Sequence, residues 1–290
     1  VKVDEFYAKS IHPSIYQQLW AIILPLVSDV QNPMVSSWFH AFCSGHLVIR
    51  FVLLRSAGRR ARSLLLFLKM ILSAKAILFD MDGVLMDSTP SVERVWRTWA
   101  AKYELDPEHV ASRAHGRRSI ETIREVAPQM DAEKENIVVE QMEIDDKEGV
   151  TALPGAVELL AHLPADQFAI VTSATRPLAV ARLGYAGIAV PRHMITANDV
   201  IQGKPSPEPF LKGAALLGFA PADCLVFEDS PAGISSARSA GMKTIALQTT
   251  YPADQLQAAH AIVASLAGVK ANLCDEGITL EFAPLPLVKS

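Results

Sequence analysis

The chain has 290 residues, half of them hydrophobic, a globular composition able to bury one large core or two smaller ones. Its net charge of -4 is unevenly spread: residues 1–69 carry eight Lys/Arg against three Asp/Glu, leaving an acidic remainder of the wrong sign for a nucleic-acid binder. Cys43, Cys224 and Cys274 are odd in number, widely spaced and without a CxxC pair, so neither a disulfide framework nor a zinc site is expected, and a reducing cytoplasm suits them.

Residues 1–69 differ from the rest. Their apolar patches, Trp20 to Val27 and Leu47 to Leu54, are short or carry a charge such as Arg50, and none approaches the ~18 to 20 residues needed to cross a bilayer. The basic run Arg59, Arg60 and Arg62 stands too far from residue 1 to open a cleavable secretory signal. The segment is read as a non-functional extension, an upstream translation ahead of a start at Met70. The competing reading is a membrane-surface anchor built from Arg55 to Lys69, and membrane contact is expected only there.

Ala76 to Phe79 reads as a buried strand that stops at Asp80, with Asp82 and Gly83 close behind. Gly83 lets the backbone turn tightly and approach an anion, and two carboxylates this near each other need a cation or a shared proton. A metal-assisted site follows, with Asp80 ionised and Asp82 carrying the proton; an ordinary Asp-Gly hairpin turn is the plainer alternative. After Pro90, Val92, Val95, Trp96 and Trp99 fall at helical spacing and form a packing stripe. Asp106-Pro107 starts a second helix that runs to Ala114. A polar loop, His115 to Ser119, interrupts before Ile120, Ile123 and Val126, and Asp131 to Glu148 forms a charged helix. No strand is expected from 90 to 149, which reads as a helical insertion.

Ala156 to Leu163 is the next helix, and Phe168 to Val171 a strand ending in Thr172 and Ser173. Those hydroxyls suit an anion, but for Ser173 or Thr175 capping the following helix is the plainer role. His193 to Thr196 is a short strand, and in the loop Asn198 to Ser206 the flanking Gly203 and Pro205 aim Lys204. A helix over Pro207 to Leu217 leads to the strand Cys224 to Phe227, which ends at Glu228-Asp229 before another helix start. Lys243 to Leu247 and Ala261 to Ala264 are further strands, and Ala271 to Cys274 pairs with Ile278 to Phe282. This alternation predicts an α/β fold with a doubly wound parallel sheet.

In such a sheet the strand ends face one side, so Asp80 with Asp82, Ser173, Lys204, and Glu228 with Asp229 gather into one site. Carboxylates around a hard divalent cation, with an ammonium and a hydroxyl nearby, suit phosphoryl transfer.

The ordered set resembles the haloacid dehalogenase superfamily of phosphohydrolases. DMDGV at 80–84 matches the first motif, Ser173 the second, Lys204 the third and Glu228-Asp229 the fourth, over Met70 to about Leu266. More narrowly, EDSPAGISSARSAGM at 228–242, GKPSPEPFLKGA at 203–214 and HGRRSIETI at 115–123 resemble sugar phosphatases, glycerol-3-phosphate phosphatases and 2-deoxyglucose-6-phosphate phosphatases. The resemblance implies a Rossmann-like catalytic core at 70–89 and 150–290 and a helical cap at 90–149. It implies Mg²⁺ held by the Asp80 carboxylate, the Asp82 carbonyl and Asp229, with Glu228 direct or through water. Asp80 would be the nucleophile, Asp82 the acid and base, and Lys204 and Ser173 the partners of the non-bridging oxygens. His115 and Arg118 would read the substrate, a small sugar or polyol phosphate. The rival enzyme is a sugar-phosphate mutase, which usually carries a His where Val92 stands here; a non-catalytic phosphometabolite-binding protein is the rival of another class. The sequence names neither one substrate nor an oligomeric state.

Overall fold

Three antiparallel strands, β1 (Ser37–Cys43), β2 (Leu47–Arg55) and β3 (Leu64–Ala74), come first in the computed structural model, which describes residues 37–43, 47–55, 64–114 and 116–285. β3 runs unbroken through Met70, and its last five residues pair with the tail strand β13 (Gly277–Phe282), itself paired with β12 (Lys270–Cys274). The tail hairpin is the predicted one. β3 is not predicted, because Leu64–Ala74 is a nearly continuous apolar run without the alternation that marks a half-buried strand. Leu72, Ala74, Ile278, Leu280 and Phe282 join this sheet to the main core. Residues 56–63, most of the stretch weighed as a membrane-surface anchor, lie outside the described residues. Among the described residues, no helix is long and apolar enough to cross a membrane.

The strand predicted at Ala76–Phe79 is β4, buried along its whole length at the middle of a six-stranded parallel sheet. On one side stand β7 (Phe168–Val171) and β8 (Met194–Ile195); on the other stand β9 (Cys224–Glu228), β10 (Lys243–Leu247) and β11 (Ala261–Val263). The chain therefore winds outward in both directions from β4, and a crevice opens beyond the carboxyl ends of β4 and its neighbours. Successive side chains of β4 point to opposite faces, so the strand serves two cores at once. Ile77 and Phe79 pack with Leu178 and Phe227, while Ala76 and Leu78 pack with Phe210 and Ala214. Phe79 stacks on Phe227 with ring centroids 5.2 Å apart. Burial on both faces is why these four residues read as an unbroken apolar run.

Beyond β4 the chain leaves the sheet through β5 (Met86–Asp87) and returns through β6 (Thr151–Ala152), which pairs with it. Between them lie α1 (Thr89–Lys102), α2 (Pro107–Ala114), α3 (Ser119–Val126) and α4 (Ala132–Asp145). The predicted stripe Val92, Val95, Trp96 and Trp99 buries against Val110, Ile123 and Val139 in a core of its own. Asp106 and Asp131 cap α2 and α4 by accepting the backbone N–H of His109 and of Lys134. α5 (Ala156–His162) and α6 (Arg176–Tyr185) cover one face of the parallel sheet, and α7 (Glu208–Leu217) and α8 (Pro231–Ser239) the other.

Candidate active site

Asp80 is the first residue past β4, and its backbone N–H still bonds to Phe227 O at 2.9 Å, so its position is set by the sheet. The chain then turns sharply: Leu85 N–H reaches Met81 O at 2.8 Å and Gly83 has φ +77°. A side chain at Gly83 would put its first carbon 1.9 Å from Asp229 Oδ2, so only glycine brings the two motifs this close. The Asp-Gly pair therefore makes a tight turn at the head of the sheet, not a hairpin to a neighbouring strand.

Lys204, on the loop after β8, is buried with Nζ 2.7 Å from Asp80 Oδ1 and 2.7 Å from Glu228 Oε1. Glu228 closes β9, and its other oxygen accepts from Asp229 N–H, Ser230 N–H and the Ser230 hydroxyl at 2.8 to 2.9 Å. Gly233 makes room for that carboxylate, since a Cβ there would stand 1.7 Å from Glu228 Oε1. Burial is the strongest influence on Asp80 and raises its carboxyl from 3.8 to about 7 against the opposing pull of Lys204. Asp229 is raised well above its ordinary value by burial, and further by Glu228 and Asp80. Burial opposes the Lys204 ammonium, but Asp80 and Glu228 outweigh it and hold the amine above its ordinary value.

Once ionised, three buried carboxylates against one ammonium leave uncompensated negative charge, which is why burial and mutual repulsion hold Asp80 and Asp229 toward their neutral forms. Asp80, Glu228 and Asp229 each bring an oxygen within 4.8 Å of the others, and Asp229 Oδ1 is buried without a hydrogen-bond partner. An all-oxygen donor set with a free lone pair fits a hard divalent cation such as Mg²⁺. A carboxylate whose folded pKa is raised adds stability below its unfolded pKa and withdraws it as pH rises through the folded one. For Asp80 that window runs from 3.8 to about 7, and metal-free protein is expected to lose stability across it. The gain in melting temperature on adding Mg²⁺ is then expected to be several degrees larger at about pH 8 than at about pH 5. Equal gains at the two pH values would contradict the cation site.

A cavity of about 50 Å³ lies between the sheet ends and α1–α4, bordered by Asp80, Asp82, Ser173, Arg117, Arg182 and Asp229 among others. Ser173 borders it, with its hydroxyl donating to Gly116 O at 3.3 Å. Neither Ser173 nor Thr175 caps α6; the first N–H of that helix, on Arg176, bonds to Asn198 Oδ1 at 2.8 Å instead. Arg118 is not at the cavity. Its guanidinium donates to Ile201 O at 3.0 Å and its stem packs on Gly203, so it clasps the loop that carries Lys204. The adjacent Arg117 borders the cavity in its place, paired with Glu125 at 2.5 Å. His115 lies outside the described residues.

Two residues that the sequence reading passes over also border the cavity. Arg182 on α6 and Glu143 on α4 are both buried, and Arg182 stands 3.1 Å from Asp82 Oδ1 and 3.2 Å from Glu143 Oε1. The signal was present: Arg182 falls three and four residues after Ala179 and Leu178, and Glu143 four after Val139, each a charge on an apolar helix stripe.

A doubly wound parallel sheet with a buried acid and lysine centre at its switch point makes this chain an α/β protein of the Rossmann-like class. The sequence model of haloacid dehalogenase-like hydrolases matches residues 74–241, and the chain belongs to that family. It is 42% identical over 197 residues to hexitol phosphatase A of Escherichia coli, covering 66% of this chain and 91% of that one. It is 40% identical over 199 residues to glycerol-1-phosphate phosphohydrolase 2 of Saccharomyces cerevisiae, covering 64% and 79%. The crystal structure of β-phosphoglucomutase from Clostridium difficile superposes with a TM-score of 0.58 over 68% of this chain and 93% of that one; at 23% identity this likeness speaks for the fold alone.

Proposed function

We propose that the chain is a Mg²⁺-dependent phosphatase that hydrolyses small sugar or polyol phosphomonoesters through a phosphorylated Asp80. The observation that carries this reading is Lys204 Nζ, 2.7 Å from both Asp80 and Glu228, which puts a fixed positive charge beside the attacking carboxylate. The hexitol and glycerol phosphate activities in its relatives' names support the substrate class.

In this reading Asp80 attacks phosphorus while Asp82 gives a proton to the departing alcohol oxygen. Asp82 then takes a proton from water, whose attack at phosphorus releases inorganic phosphate and restores Asp80. Lys204 and Ser173 hold the non-bridging oxygens as charge spreads over them. Asp80, the Asp82 carbonyl and Asp229 would hold Mg²⁺, which supplies positive charge to the phosphoryl oxygens. Glu228 would support the ion directly or through water, its own oxygens already accepting from Lys204 and the 229–230 backbone. Residues 90–149 act as a cap on a core of 70–89 and 150–290, and their closure excludes bulk water from the site. Arg117 is the cap cation that faces the substrate. The free thiols of Cys224 and Cys274 suit the cytoplasmic location included in this reading.

Phosphate release from a panel of hexitol, hexose and glycerol phosphates, with and without Mg²⁺, tests the proposal. Mg²⁺-dependent release from at least one polyol or sugar phosphate is expected. Isomerisation of a sugar phosphate without release would favour the mutase, against which Val92 speaks. Silence across the panel would favour a non-catalytic binding protein.

A further inference from the structure

Arg182 and Glu143 are a buried ion pair joining two parts of the chain that are far apart in sequence. Arg182 belongs to α6 on the sheet, Glu143 to α4 in the helical insertion, and they are 4% and 3% exposed. The guanidinium fork reaches two carboxylates, with Nη1 on Asp82 and Nη2 on Glu143. Asp82 Oδ1 also accepts the Ser88 hydroxyl at 2.6 Å, so one of its oxygens is fixed and the other left for chemistry. Buried ion pairs are seldom worth more to stability than apolar residues of the same volume, which makes a task at the site the better account of this one. Arg182 Nε and Nη2 and Glu143 Oε2 have no hydrogen-bond partner among the described residues, so charge attraction at 3.2 Å, rather than a hydrogen bond, ties Arg182 to Glu143 on α4.

The cavity sets the second constraint. At about 50 Å³ it has room for a few waters, so a phosphorylated polyol enters only when α1–α4 swing away on the β5–β6 ribbon. That swing withdraws Glu143 from Arg182. We propose that Arg182 is a positioning residue that links docking of α4, through Glu143, to the orientation of Asp82, so that the acid is aimed at the leaving oxygen only when the site is covered. The planar, two-pronged guanidinium is the group that can register both carboxylates at once. The proposal rests on the reading of Asp82 as the acid given above.

The test compares two esters by kcat/KM, which covers the steps up to departure of the alcohol. A polyol phosphate has a poor leaving group that needs the proton; p-nitrophenyl phosphate has a good one that does not. Arg182→Met and Glu143→Gln are expected to lower kcat/KM for the polyol ester at least about ten-fold more than for the aryl ester, with Arg182→Lys in between. Equal losses on the two esters, or a change confined to KM, would overturn the proposal. Asp82→Asn runs alongside: if it fails to discriminate, the acid role of Asp82 falls and the proposal with it. If Asp82→Asn discriminates and the Arg182 and Glu143 variants do not, the proposal alone falls. Glu143→Gln keeps the volume of the side chain and carries the same test should Arg182→Met not fold.

Discussion

Asp80→Asn is expected to cut phosphate release by about 10⁴-fold or more while leaving the fold intact. The amide keeps the shape of the side chain but cannot attack phosphorus, and no neighbouring carboxylate has its place at the end of the central strand. The substitution also removes one of three clustered negative charges, while Lys204 keeps Glu228 at 2.7 Å. In metal-free buffer the variant is therefore expected to melt no lower than the parent. Phosphate assays and thermal melts on the same preparation check both halves, and near-normal turnover would refute the nucleophile.

Lys204→Met is expected to damage both rate and stability. Removing the ammonium leaves Asp80 and Glu228 facing each other in a buried site, a cost of about 3–5 kcal/mol by analogy with other broken buried pairs. The rate is expected to fall about 10²- to 10³-fold, because a preorganised charge at the phosphoryl oxygens is gone. Mg²⁺ should recover part of the melting temperature by supplying the missing positive charge, but not the rate. A melting temperature and turnover both close to the parent's would remove Lys204 from the centre.

The contrast between these two residues and the rest shows what a single sequence reveals. Asp80 is conspicuous because burial on both faces of β4 makes an unbroken apolar run, and the acid that ends it stands out. Lys204 and Asp229 are unremarkable one at a time and gain meaning from their order, since a parallel sheet brings its strand ends to one side. β3 is hidden because an apolar run without alternation does not declare itself a strand. Arg117 and Arg118 are adjacent in a loop of uniform polarity, and only the backbone direction at the start of α3 decides which one meets the cavity. Arg182 and Glu143 each break an apolar stripe, but their partnership depends on how α4 docks on α6, which no local pattern encodes. The hydroxyls after β7 stand where expected, yet Asn198 does the capping, a tertiary contact invisible in the local sequence.

The central claim is that the carboxylate of Asp80 becomes phosphorylated during turnover. Rapid acid quench during hydrolysis of a polyol phosphate, followed by peptide mapping, tests it most directly. The account predicts one added phosphoryl group on the peptide containing Asp80, lost on brief exposure to hydroxylamine and absent in Asp80→Asn. Steady phosphate release with that peptide unmodified at every quench time, or a phosphoryl group found on another residue, would contradict it.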